Sequence, residues 1–353
     1  MSTNDTITSN KGLTENVTHN DPSESHHEKI DVEEQENVPH FHAKTWLVVF
    51  AVSLIYAAHV INLVGLGTHG RDIVAVIGGA QKSSWLIGVN VIMVVVFGPP
   101  FSQAADFWGR RWFLIVPTFC GGLGSIIMSR ATSMDMALAG QCIVGVSYGA
   151  QPLLHAVASE VLTHRNRVAA QAAVNAGSGL GGVAGLLVGA ALMGNGNPSG
   201  FRNYWYMTAA IYLVAAAVTV AFYTPPLRSL QTELPFKEKL NRLDWVGYAL
   251  LGCGLVLFMM ALFWAQNPYS WRDPHVLAPL LIGAVISAAF VTYEWKFKAD
   301  GLVHHGLFSR DRNFAIALAC IFCEGLVYFA ANAFMPYQVE VLYETSKIGI
   351  SLQ

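Results

Sequence analysis

The chain has 353 residues, 53% of them hydrophobic and only 12% charged, with a formal net charge of -2. Soluble globular domains carry about 25% charged residues, so a cytosolic enzyme, a disordered chain and a collagen-like chain are excluded. The charge balance gives no sign of a nucleic-acid partner. A mean hydropathy of +0.42 points to a multi-span membrane protein.

Residues 1–45 differ from the rest. They hold nine acids and three lysines in a background of Ser, Thr and Asn. Such a segment buries too little apolar surface to offset its chain entropy and is expected to be a disordered acidic tail. Asn4 and Asn16 open glycosylation sequons, which matter only if the tail lies outside the cell. His26, His27, His40 and His42 read as solvated tail residues, and no metal or other cofactor is expected.

Nine long apolar runs follow: Trp46–Leu66, Ser84–Ala104, Trp112–Ser129, Met136–Ala158, Val168–Met193, Tyr204–Tyr223, Trp245–Ala265, Val276–Trp295 and Asn313–Met335. Each is close to the 20 or so residues that a spanning helix needs. With the N-terminus inside, Lys and Arg divide 15 to 6 in favour of the cytoplasmic segments, so that orientation is expected. The aromatic triplet Tyr204, Trp205 and Tyr206 suits interfacial anchoring, as do the aromatics between Trp264 and Trp271. Asp244 reads as a helix cap, and Glu294, Lys296 and Lys298 as interfacial residues. The five cysteines lie at apolar positions and do not suggest a disulfide framework.

The short loop after the second run carries Asp106, Gly109, Arg110 and Arg111. Gly109 permits a tight reversal between antiparallel helices. The paired arginines pin the turn to the cytoplasmic side, and Asp106 can accept charge-assisted hydrogen bonds as a breakable latch. The fourth run carries Gln141, Gly145, Gly149 and Gln151, followed by His155 and Glu160. The fifth run carries Gly177, Gly181, Gly182, Gly185 and Gly189, and small residues at four-residue spacing let helices approach closely.

These residues resemble the major facilitator superfamily, whose pattern in this loop is Gly-x-x-x-Asp-Arg/Lys-x-Gly-Arg-Arg/Lys. The chain departs from it at Ser102 and Phe107. The resemblance implies a loop that helps hold two helix bundles together on the cytoplasmic side. It also implies that Gln141 stands where many members have an Arg linked to proton coupling, so that part of the mechanism does not carry over. Phe201 to Tyr206, Tyr223 to Pro226, Leu243 to Gly247, Tyr269 to Trp271 and Leu307 to Arg310 resemble a fungal 14-span branch, that of the trichothecene efflux pumps and the related siderophore transporters.

The resemblance implies an all-α polytopic fold. Residues 46–224 would form the N-terminal six-helix bundle, 225–243 a cytoplasmic loop and 244–296 two extra linking helices. Residues 297–353 would supply a loop and the first helix of an incomplete C-terminal bundle, and the chain is expected to be a truncated transporter.

Ionisable groups at membrane depth are costly and are functional candidates by default. Glu324, mid-way along the ninth run, suits proton uptake and release. His59 and Asn62 share a helical face, as do Gln151 and His155, and with Asn90 and Asn175 they could line a polar cavity. His59 could also carry a proton. Each of the polar residues taken alone reads first as an interhelical hydrogen bond and second as a substrate contact, and Glu324 also fits a protonated or locally hydrogen-bonded side chain. Absence of a phosphate-binding loop, a His-Glu-x-x-His pair and a nucleophile with its base argues against an enzyme and against ATP-driven pumping.

The expected function is secondary transport, by proton-coupled efflux of a small organic toxin, drug or metabolite. Ferric siderophore uptake is one alternative, and a non-transporting membrane remnant or sensor is another. The expected partners are a small organic substrate, protons and the lipid bilayer, with a monomer in the plasma membrane or, alternatively, the vacuolar membrane.

Overall fold

The computed structural model describes residues 43–162, 164–193, 199–225, 231–232, 235–265, 268–298 and 312–342. The acidic tail expected over 1–45 therefore lies outside the described residues, save its last three, and so does most of the loop expected to open 297–353.

The described residues are helical apart from turns, short 3-10 segments and one isolated bridge between Ala265 and Tyr269. Helix α1 spans Ala43–Ile77. At 1.5 Å per residue its 35 residues extend about 50 Å. It runs well past the expected end at Leu66 and stops only at Gly78 and Gly79, whose φ of 75° and 78° lie in the left-handed region. Next come α2 (Trp85–Trp108) and α3 (Arg110–Ser129).

The expected fourth span is broken into α4 (Met134–Gly149) and α5 (Gln151–Val161). Pro152 lies in the first turn of α5 and has no N–H to continue the ladder. Ala150 between them keeps only tight turn bonds, donating to Ser147 O at 3.1 Å and accepting from Leu153 N at 3.0 Å. The remaining elements are α6 (Arg167–Met193), α7 (Gly200–Phe222), the short α8 (Phe236–Arg242), α9 (Trp245–Trp264), α10 (Pro274–Phe297) and α11 (Arg312–Leu342).

Among the described residues, eight helices are long and apolar enough to cross a bilayer. They coincide with eight of the nine expected runs, and the ninth is the broken pair α4–α5. Their outward faces are apolar: Trp112, Leu281, Val285 and Phe322 are all more than half exposed. Water would make such surfaces costly, whereas lipid accepts them, since every helix satisfies its backbone internally.

Helix α1 is the axis of the bundle, packed against α5, α6 and α7, while α3 packs on α4 and α7, and α2 on α4. One apolar cluster surrounds its first half, with Ile55, Leu114, Leu154, Val157 and Val174. A second surrounds its other half, with Ile61, Ile73, Leu86, Met128, Phe201, Tyr204 and Trp205. Helices α9 and α10 form a hairpin whose α9 lies along α2. There Phe263 packs on Gly88, Trp85 meets both Phe263 and Trp264, and Gln103 accepts hydrogen bonds from Tyr248 Oη and the Asp244 backbone.

Candidate functional site

Between the two apolar clusters, α1 presents His59 and Asn62 to α2, α4 and α7. Asn62 Nδ2 donates to Gln141 Oε1 at 3.2 Å and to Tyr148 Oη at 3.3 Å. Gln141 Nε2 donates back to Asn62 Oδ1 at 3.4 Å, and Asn90 Nδ2 donates to Gln141 Oε1 at 3.1 Å. Trp205 Nε1 donates to Asn62 Oδ1 at 3.1 Å. An indole nitrogen can only donate, so it fixes the Asn62 oxygen on its own side and orients the amide pair. Tyr148 Oη donates to His59 O at 2.5 Å, and the Tyr148 ring stacks on His59 with centroids 4.5 Å apart. His59 Nε2 meets Ser147 Oγ at 2.8 Å. His59, Asn62, Asn90, Gln141, Ser147 and Trp205 are all buried, and the hub holds no Lys, Arg, Asp or Glu.

The sequence brought His59, Asn62, Asn90 and Gln141 forward and overlooked Ser147, Tyr148 and Trp205. Trp205 and Tyr204 were expected at the membrane interface, yet both are fully buried, and only Tyr206 of that triplet is exposed. Tyr204 Oη turns inward to donate to Ile61 O at 2.6 Å. The position of the triplet at the start of a run was legible; which side of α7 faces α1 was not.

At one end of the bundle, Arg110 joins two helices. It donates to Asp106 Oδ1 of α2 at 2.9 Å and pairs with Glu160 of α5 at 2.5 Å. Arg111 donates to Val220 O of α7 at 2.9 Å. Gly109, between α2 and α3, has φ 97° and ψ 143°, backbone essentially closed to side-chain-bearing residues. A cleft of about 370 Å³ opens at the same rim, lined by Lys44, Val48, Glu160, Phe222 and Tyr223.

The α6 glycines turn towards α1. A Cβ on Gly177 would meet Ser53, one on Gly181 the Ala57 backbone, one on Gly185 Tyr204 and Ile61, and one on Gly189 His69. Gly182 is looser, with only Val60 in ordinary contact.

His155 and Gln151 lie apart from the hub, on α5. His155 Nδ1 meets Gln171 Oε1 at 2.6 Å, and Gln171 Nε2 reaches both His155 O and Ser159 Oγ. Asn175 is exposed on α6. Glu324 is exposed on α11. The polar cavity expected from His59, Asn62, Asn90, Gln151, His155 and Asn175 is therefore divided: the structure brings His59, Asn62 and Asn90 together, with Gln141 added to them, and leaves Gln151, His155 and Asn175 elsewhere.

In the hairpin, Asp244 caps α9 by accepting from Gly247 N at 3.1 Å, and it also accepts from Tyr293 Oη at 3.2 Å. Lys298 lies 3.5 Å from Asp244. Glu294, expected to be interfacial, is buried beside Gly247, because α10 turns that face onto α9.

Residues 45–352 match the model of the Major Facilitator Superfamily. The "MFS-type transporter gkaD" of Penicillium citrinum is 28% identical over 78% of this chain and 47% of its own. "Efflux pump FUS6" of Gibberella fujikuroi is 24% identical over 86% of this chain and 54% of its own. The chain thus spans about half the length of the curated relatives it matches. A solved bacterial homologue of the human lysosomal transporter Spinster is 16% identical, with a TM-score of 0.39, covering 74% of this chain and 64% of its own.

Proposed function

The chain belongs to the Major Facilitator Superfamily, a family of transporters and not of enzymes, and on that premise we propose that it is a secondary transporter exporting small organic molecules in exchange for protons. The observation that carries this reading is the buried, uncharged hydrogen-bond hub of His59, Asn62, Asn90, Gln141 and Tyr148, set in an apolar helix bundle. Buried polar groups are retained at a cost, and in membrane helices they concentrate where substrates and protons pass. Neutral amides flanked by aromatic rings suit an amphipathic organic molecule better than an ion.

The direction is supported by relatives named as efflux pumps. The excess of Lys and Arg on one side supports a cytoplasmic N-terminus, with the Asp106–Arg110–Glu160 latch on that same side. The plasma membrane and a monomeric state complete the proposal. Alternating access works by rocking bundles about a midplane site, and the latch at Arg110 would yield at each turnover. Glu324 and His59 are the residues proposed to carry the proton.

The test is dye retention in yeast cells expressing the chain. Expressing cells should retain less of a fluorescent amphipathic dye than vector cells, and a protonophore should abolish the difference. Equal retention in both cell lines would remove the transport reading. Glu324→Gln and His59→Gln should each suppress pH-dependent export, and a variant that exports normally leaves the list of proton carriers.

A further inference from the structure

Helix α1 continues beyond its expected end into a polar stretch that carries Thr68, His69, Arg71 and Asp72. His69 is only 3% exposed, and neither of its ring nitrogens has a hydrogen-bond partner. It is wedged between helices. From α6 it meets the Gly189 backbone, where any Cβ would collide with Nε2. From α7 it meets the Tyr204 ring, edge-on with centroids 5.6 Å apart. On its own helix, one turn away, Asp72 Oδ2 stands 3.7 Å from Nδ1. The Asp72 side chain is 31% exposed and so reaches the surface. The described contacts of the imidazole with titratable groups are those with Asp72 of α1 and Tyr204 of α7, while its contact from α6 is with Gly189. Arg202 of α7 is turned away, donating to Ser129 O at 3.0 Å.

Buried polar groups nearly always find partners, and those that do not call for an explanation. A neutral imidazole here leaves one N–H and one lone pair unused. Adding a proton turns the second nitrogen into a donor and places a positive charge next to a carboxylate that communicates with solvent. Histidine is the side chain suited to this exchange near neutral pH. His69 lies ten residues beyond His59 on the same helix, about 15 Å along its axis, towards the end opposite Arg110.

Resting on the proton-driven reading above, we infer that His69, with Asp72 as its counter-charge, is a proton-binding site at the outer end of the bundle. In the step itself, a hydronium ion reaching Asp72 gives its proton to the imidazole, leaving imidazolium and water, and the reverse step releases it. Imidazolium drawn towards Asp72 shifts away from Gly189, which ties proton uptake to the α1–α6 interface.

The experiment measures initial dye-export rates in intact cells expressing the chain, with external pH varied between about 5 and about 8, the range over which histidine ordinarily titrates. Wild type, His69→Gln and Asp72→Asn are compared at equal surface expression. Asp72→Asn keeps the side-chain shape at a partly exposed position, so it reports even if His69→Gln misfolds. The expected result is export that rises as external pH falls in wild type, with that stimulation lost in both variants. A stimulated wild type whose profile is unchanged in Asp72→Asn, or merely scaled down at every pH, overturns the His69 site alone. A wild type that exports dye but ignores both external pH and protonophore overturns the proton-driven reading beneath it.

Discussion

Asn62 and Gln141 exchange hydrogen bonds in both directions between α1 and α4, at 3.2 Å and 3.4 Å. Gln141 of this pair stands where the family resemblance implies an arginine in many members, and the exchange changes the electrostatics of the core. An arginine would bring a buried cation that needs a counter-charge; two amides satisfy one another and leave the hub neutral.

Replacing Gln141 by Leu therefore strips Asn90 of its acceptor and Asn62 of one. Each buried group left unpaired costs about 1–3 kcal/mol. Gln141→Leu should lower the thermal unfolding midpoint in detergent clearly, although leucine is as apolar as its surroundings. An unchanged midpoint would show that the amide pair adds nothing to the fold.

Arg110 should behave differently. Its carboxylate partners are 38% and 45% exposed, so solvent screens the pairs and their loss costs only about 1 kcal/mol of stability. The effect of Arg110→Gln belongs in transport, with export reduced and the melting midpoint little moved. The double reversal Arg110→Glu with Glu160→Arg should recover part of the export. Full activity in Arg110→Gln alone would deny the latch.

The α6 glycines offer a paired comparison. A methyl on Gly181 would lie 2.7 Å from the Ala57 backbone, and such overpacking costs about 1–3 kcal/mol. Gly179 has nothing within 4 Å of the same added atom, so alanine there gains helix propensity of up to about 1 kcal/mol. Melting of Gly181→Ala and Gly179→Ala should shift in opposite directions. A shift of the same sign would show that α6 does not present this face to α1.

Asp273 gives a pH dependence. It caps α10, accepting from His275 N at 2.9 Å, and this bond together with the His275 side chain holds its carboxyl below the usual range. A depressed value in the folded state stabilises at pH above the ordinary carboxylate value, roughly 4, and the contribution disappears as pH falls through the folded value. Acidification below about pH 4 should thus destabilise wild type more than Asp273→Asn, whose cap carries no titrating proton. Parallel acid profiles of the two melting midpoints would contradict this.

Most of the helix layout was legible because a spanning helix announces itself by apolar length alone. The hub was half legible: His59, Asn62, Asn90 and Gln141 stood out as polar residues in apolar runs. Ser147 and Tyr148 did not, since small hydroxyls and tyrosines are ordinary in membrane helices. Trp205 was misread because an aromatic near the start of a run fits interface and core equally well, and only the rotation of α7 against α1 decides between them. His69 escaped because the run that carries it had already become polar by Leu66, while the helix itself ran on to the paired glycines. The proline that divides the fourth span was visible as Pro152, but a proline inside an apolar run bends some helices and breaks others.

That division has a mechanical consequence. Ser147 and Tyr148, which grip His59, belong to α4, whereas His155 and Glu160 belong to α5, and the two pieces meet at Ala150 with the ladder interrupted. A continuous rod would carry every tug on Glu160 straight into the polar centre. A joint there would let α5 move with Arg110, as the proposed latch requires, while α4 keeps its hold on the imidazole.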